Sequence, residues 1–345
     1  MARRRIAGWP IALMIALAGQ AWAGRTSDRS APVIDMHVHA MLRTLATPIM
    51  ACPGNRPLTY PAADPAKTIS ENDLVSCERP IPSATSPDEL RDRTIAELRA
   101  HNVRRAVVMA RTEALPGWLE RAPDLVIPAT FPLNSDASAL DALRQAHRSG
   151  RATVFAEIGT QYIGKRADDP LYEPFWALAE ELDVPVGIHL GEGNPGQDRS
   201  DSSDRYRASL TSPFQLEEVL IRHPRLRLYV MHAASPLTDE MIAMLFEYPT
   251  LYVDVAANDW NMPRAQFYDQ LKRMVDAGFS QRILFGSDQT LFPQAIGLAI
   301  DTIEDAPFLT AKQKRDILYN NAARFLRLSK EQIAADHAPA KPAPR

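Results

Sequence analysis

The sequence holds only two cysteines, fewer glycines (15) than prolines (28), and no excess of positive charge, its formal net charge being −3 at pH 7. A pI near 6.3 gives no support for binding nucleic acid or an anionic membrane surface, which need clustered Lys and Arg. No apolar run reaches the roughly 20 residues that cross a bilayer. Short-period repeats, coiled-coil heptads and a visible second domain are also missing. Nothing near Cys52 and Cys77 completes a thiolate metal site. What remains is an ordinary globular composition, 46% apolar and 23% charged over 345 residues, enough for one large core.

The first residues read as an export signal. Met1-Ala-Arg-Arg-Arg5 is a cationic start, residues 11–18 are an unbroken apolar run, and Ala21-Trp22-Ala23 fits a small-x-small cleavage site. The expected signal is therefore 1–23, with a mature chain from Gly24, periplasmic or secreted and free of the membrane once processed. The consecutive arginines also admit twin-arginine export. In an oxidising compartment Cys52 and Cys77, in one irregular segment, form a plausible disulfide. Closing that loop contributes about 3 kcal/mol by the chain-entropy estimate.

Beyond the signal, short apolar runs alternate with amphipathic ones. The strand-like runs are 32–39, 105–110, 124–130, 153–158, 184–190, 226–232, 251–256 and 282–287. Helical patterns lie between them at 87–101, 116–121, 137–149, 171–182, 213–222, 239–246, 264–277 and 294–303, and a closing one at 311–328. Eight alternations of nearly all-apolar strands predict an α/β fold, a (β/α)8 TIM barrel spanning 24–330. Residues 331–345 read as a disordered Pro/Ala-rich tail. The span 40–86, with seven prolines between Pro48 and Pro82 and both cysteines, is expected to be a structureless insertion. It leaves the end of the first strand where barrel sites open, and so reads as a lid.

The strongest local signal is Asp35-Met36-His37-Val38-His39. Side chains alternate along a strand, so both histidines and Asp35 share one face, and two imidazoles a dipeptide apart can bind one cation. Distant residues fall at the same point of their own units. His189 ends the fifth strand, His232 the sixth, and Asp288 follows the eighth. Gly187, Val230 and Gly286 occupy the expected inward positions beneath them. Four of the eight histidines thus end strands. Nitrogen and carboxylate ligands suit Zn2+, with Mn2+, Fe2+ or Co2+ as alternatives. Such a cation keeps a position open for water and lowers its pKa.

With these residues the chain resembles the amidohydrolase superfamily. It is most similar to the amidohydrolase-related (amidohydrolase 2) branch that includes aminocarboxymuconate-semialdehyde decarboxylase and several lactonases. The likeness runs from Asp35 through His189, His232 and Gly286-Ser-Asp288 to Asn320-Asn-Ala-Ala-Arg-Phe-Leu326. It implies that His37, His39, His189 and Asp288 ligate the metal, that Asp288 also shuttles a proton, and that His232 orients water or polarises substrate. It implies a hydrolase acting on an ester, lactone or amide of a small molecule; a metal-dependent decarboxylase is the alternative, and a non-catalytic metal-binding barrel the third.

Glu157 ends the fourth strand, where some members of the superfamily place a bridging ligand, although the decarboxylase-like branch usually does not. If Glu157 ligates, the count of one ion can become two. Arg111, past the second strand, is a candidate for binding a substrate carboxylate, as are Arg199, Arg205 and Arg207. Asp35 is a candidate to hold a ligand imidazole from behind. Asp254 and Asn258-Asp259-Trp260 border the mouth. The expected assembly is a homodimer by default.

Overall fold

The computed structural model describes residues 30–67, 73–110, 113–131, 136–193, 195 and 206–339. The expected signal segment, Arg111, Arg199 and Arg205 lie outside the described residues. Among the described residues ten strands form: β1 (Val33–Ala40), a short pair β2 (Met50–Ala51) and β3 (Ile81–Pro82), then β4 (Val103–Ala110), β5 (Val126–Thr130), β6 (Val154–Ile158), β7 (Val186–His189), β8 (Leu228–Met231), β9 (Tyr252–Asp254) and β10 (Ile283–Leu284). Eight of them make one sheet in the order β1-β4-β5-β6-β7-β8-β9-β10. Their pairings are all parallel. Met36 N donates to Phe285 O at 3.0 Å, which brings the last strand back to the first and nearly closes a TIM barrel. All eight strands coincide with the runs expected from sequence.

Helices α1 (Pro87–Ala100), α2 (Leu115–Arg121), α3 (Ala137–Arg148), α4 (Glu173–Glu181), α5 (Glu217–Arg222), α6 (Thr238–Glu247), α7 (Asn258–Asn261), α8 (Arg264–Asp276) and α9 (Ala295–Asp305) follow the strands. Local chemistry sets their starts. Ser86 accepts from Glu89 N with Pro87 in the first turn of α1, and Asp136 caps α3 by accepting from Ala139 N. The closing segment runs as α10 (Ala311–Arg315), a π-helical turn (Asp316–Asn320) and α11 (Asn321–Phe325). Asn321 Nδ2 reaches Ser280 O at 2.8 Å and Ile283 O at 2.7 Å, tying this segment to the start of β10. No helix among the described residues is long and apolar enough to cross a membrane.

Three expectations change. The span 331–345 does not begin as a disordered tail: α12 (Lys330–His337) starts with a capping box at Ser329 and Gln332. It is held by Asp336, which accepts from Tyr319 Oη at 2.8 Å and Arg105 Nε at 2.7 Å. The insertion is not structureless. β2 and β3 pair antiparallel, and Cys52 and Cys77 form a disulfide. Gly54 N donates to Trp260 O, Arg264 N to Gly54 O, and Ala84 N to Leu291 O, so the insertion sits on the segments after β9 and β10. Finally, Tyr229 rather than Val230 fills the barrel below His232. Its ring lies where a Gly187 side chain would be (Cβ to Cζ 2.5 Å), and its hydroxyl donates to Met36 O.

Candidate metal centre

β1 delivers His37 and His39 to the barrel mouth with their Nε2 atoms 3.1 Å apart. A register irregularity between Asp35 and Val38 accompanies the pair. Gly286 makes the space: a Cβ there would meet His37 Cβ at 2.6 Å. The orientation of His37 is fixed from behind, because its Nδ1 donates to Asp254 Oδ2 at 3.0 Å and leaves the Nε2 lone pair facing the mouth. Asp35 does not hold an imidazole. Its Oδ1 accepts from the backbone N–H of His37 at 3.0 Å and of Ser287 at 2.9 Å, locking β1 to the segment after β10. Burial outweighs those hydrogen bonds and raises the Asp35 pKa to about 6.

Glu157, at the end of β6, faces both halves of the cluster. Its Oε2 lies 3.5 Å from His39 Nε2. Its Oε1 lies 2.6 Å from His189 Nδ1 and 3.5 Å from His232 Nε2. The chain after β8 turns through positive φ at His232 (61°), Ala233 (49°) and Ala234 (52°), which swings the His232 ring inward one residue after the inward Met231. Gly191 leaves room for that ring, since a Cβ there would come within 3.0 Å of His232 Cβ. His232 Nδ1 donates to Ala256 O at 3.0 Å, which turns Nε2 into the cluster, 3.0 Å from His189 Nδ1. Asp288 completes the ring, with Oδ1 3.1 Å from His39 Nε2 and 3.7 Å from His37 Nε2.

This donor set fits a divalent cation. Ligand atoms of His37, His39 and Glu157, and those of Glu157, His189 and His232, each lie within 4.8 Å of one another. The carboxylates of the cluster also favour positive charge among them. Burial disfavours a charge on His232, yet Glu157, Asp288 and Asp254 outweigh it and push its pKa up to about 10. Burial likewise opposes ionisation of Glu157, but His189, His232 and His39 hold its carboxyl well below the usual range. His39, Glu157 and Asp288 are the most exposed members of the cluster, at 14, 11 and 13%, against 7% for His232, 3% for His189 and none for His37 and Asp254. A ligand therefore arrives from the His39 side.

The structure thus brings together His37, His39, Glu157, His189, His232 and Asp288 as expected. Among the other candidates, Arg111 is not described, and Arg207 turns a guanidinium N–H to Tyr206 O at 2.8 Å. The role of Asp254 went unread, although an acid ending a barrel strand was itself a signal. Tyr162 and Tyr206 were also missed. The Tyr162 ring stacks at 4.6 Å on His189, and Tyr206 Oη donates to Gly191 O at 2.5 Å. They follow strand ends at irregular offsets, and periodicity does not flag such positions.

A family model described as Amidohydrolase matches residues 34–328. No curated protein matches the chain. Among solved structures, an uncharacterized TIM-barrel protein from Bordetella bronchiseptica is 18% identical, with 72% of this chain and 86% of that chain covered and a TM-score of 0.57. A probable 2-pyrone-4,6-dicarboxylic acid hydrolase from Acinetobacter baumannii, solved with citric acid bound, is 12% identical over 86% and 99% of the two chains, with a TM-score of 0.57. A dihydroxybenzoic acid decarboxylase from a Polaromonas species, solved with bound manganese and an inhibitor, is 15% identical over 72% and 91%, with a TM-score of 0.52. At these identities the likeness concerns the fold.

Proposed function

This chain belongs to the amidohydrolase family, and on that premise we propose that it is a metal-dependent hydrolase cleaving an ester, lactone or amide bond of a small molecule. The observation that carries the reading is the position of Asp288. Its Oδ1 stands 3.1 Å from His39 Nε2 on the part-exposed side of the centre, where ligand atoms and a proton acceptor share one opening.

In this reading His37, His39, His189 and Asp288 hold the cation, and Glu157, with one oxygen toward each half, is a further ligand. A bound divalent ion, Zn2+ by the nitrogen and oxygen donors or else Mn2+, Fe2+ or Co2+, supplies Lewis acidity toward a carbonyl and lowers the pKa of water. Asp288 accepts the proton lost as water attacks the carbonyl carbon, and returns it to the leaving oxygen or nitrogen as that bond breaks. His232, flanked by Glu157 and Asp254, donates from Nε2 to the substrate carbonyl. Asp254 keeps His37 in the tautomer that frees its Nε2, and Ala256 O holds the protonated His232 ring so that its Nε2–H faces the mouth. The export signal expected at 1–23 and the disulfide support a periplasmic or secreted enzyme.

A decarboxylase would use the same ligands to bind a carboxylic acid, and several of the solved neighbours are decarboxylases. Product analysis separates the two. Metal-loaded protein is offered a panel of esters, lactones and amides alongside a panel of aromatic and enolic carboxylic acids. Hydrolysis that is lost in Asp288→Asn supports the proposal; release of CO2 without hydrolysis replaces it with the lyase.

A further inference from the structure

The backbone around Asp288 is held from several directions. Asp288 has φ +44°, a left-handed conformation that a non-glycine residue keeps only where its surroundings over-determine it. On one side the Asp288 N–H donates to His37 O at 2.7 Å. On the other, the carbonyl of Ser287, half of the same peptide unit, accepts from the indole Nε1–H of Trp260 at 2.8 Å. That peptide cannot rotate without breaking one of the two bonds, and its rotation sets where the Asp288 carboxylate points.

Trp260 is itself held by the insertion. It is 5% exposed, in the short helix α7, with Phe292 packed at 6.0 Å between ring centroids. Gly54 N donates to Trp260 O at 2.7 Å, and Gly54 O accepts from Arg264 N at 2.9 Å, so one residue of the insertion grips both ends of the 260–264 turn. Glycine is required there because a Cβ would stand 1.6 Å from Met262 O. Two residues before Gly54, Cys52 is buried and bonded to Cys77, which closes the loop that carries Gly54.

We propose that Trp260 is a positioning residue for Asp288, and that the disulfide-clasped insertion, through Gly54, is the clamp that keeps Trp260 in place. The insertion is then part of the machinery that builds the metal centre. This rests on the reading of Asp288 as a ligand. Removing the indole N–H frees the Ser287–Asp288 peptide and costs metal affinity in the range seen when an outer hydrogen-bond partner of a ligand is lost, about 10- to 100-fold.

The test uses the full disulfide-intact protein and Zn2+ or Mn2+ alone, titrated in competition with a chelator. Trp260→Phe keeps the ring and loses the donor. The control is Trp176→Phe, which removes an equally buried indole bond, Trp176 Nε1 to Ala167 O at 2.9 Å, on the outer helix α4. The expected result is weakening of about 10- to 100-fold in Trp260→Phe and in Gly54→Ala, with wild-type affinity in Trp176→Phe even where its Tm falls. Wild-type affinity in a folded Trp260→Phe overturns the proposal. If that variant does not fold, wild-type affinity in both Gly54→Ala and Cys52→Ser/Cys77→Ser overturns it instead. A wild-type protein that binds neither ion would bring down the metal centre itself, a failure distinct from that of the clamp.

Discussion

Asp254 Oδ2 lies 3.0 Å from His37 Nδ1 across 217 residues of sequence, and both side chains are wholly buried. This bond decides which nitrogen of His37 is free to bind metal. The other oxygen of the same carboxylate accepts from His232 N at 2.8 Å and Ala256 N at 3.1 Å. Asp254→Asn keeps that second set of bonds and places an amide N–H against His37, disfavouring the tautomer that exposes Nε2. Metal affinity is expected to fall about 10- to 100-fold with little change in the fold. Chelator competition and far-UV circular dichroism on one preparation check this; unchanged affinity would reduce Asp254 to scaffolding.

In the proposed centre, Glu157 would decide the metal count. Its oxygens face His39 and His189 separately, the geometry of a carboxylate that either completes one site or bridges two. Glu157→Gln is expected to weaken binding by at least about 10-fold, and to halve the stoichiometry if the native protein holds two ions. Metal analysis after equilibration and desalting reads both. A variant with native affinity and native stoichiometry would remove Glu157 from the ligand set.

A pH dependence of stability sits where the insertion joins α1. Glu89 accepts from Thr85 N at 2.9 Å, Thr85 Oγ1 at 2.8 Å and Arg93 at 2.7 Å, and these bonds lower its pKa from 4.5 to about 2. A carboxyl depressed in the folded state adds stability above its unfolded pKa and loses it as pH falls through the folded value. Glu89→Gln should therefore lower Tm at neutral pH, and the gap should narrow as pH drops from about 4.5 toward 2. Thermal melts of wild type and variant across that range test this; a constant gap would mean the ionised form is not what matters.

Much of the barrel was legible because strands covered on both faces must be apolar, and because a polar residue ending such a strand has few reasons to be there. Those two rules located every barrel strand and gathered His37, His39, Glu157, His189, His232 and Asp288. Strict alternation failed at Val230 because the positive φ angles from His232 to Ala234 turn the ring inward after the strand has ended. The Asp254–His37 bond is non-local and leaves no periodic trace. Composition hid α12, since an Ala/Pro-rich ending outweighed the Ser329 and Gln332 capping pair that in fact starts a helix. The insertion could not be folded from its prolines alone: its structure comes from the disulfide and from docking on Trp260, Arg264 and Leu291.

The central claim is that His37, His39, His189 and Asp288, with Glu157, form a metal centre. Metal content of the purified protein, measured for wild type and His37→Ala after loading with Zn2+ or Mn2+ and removing the excess, tests it most directly. The account predicts at least about one ion per wild-type chain, and little or none in a His37→Ala protein that still folds. A wild-type chain that retains no ion after loading, or a His37→Ala chain that retains as much as wild type, would contradict it.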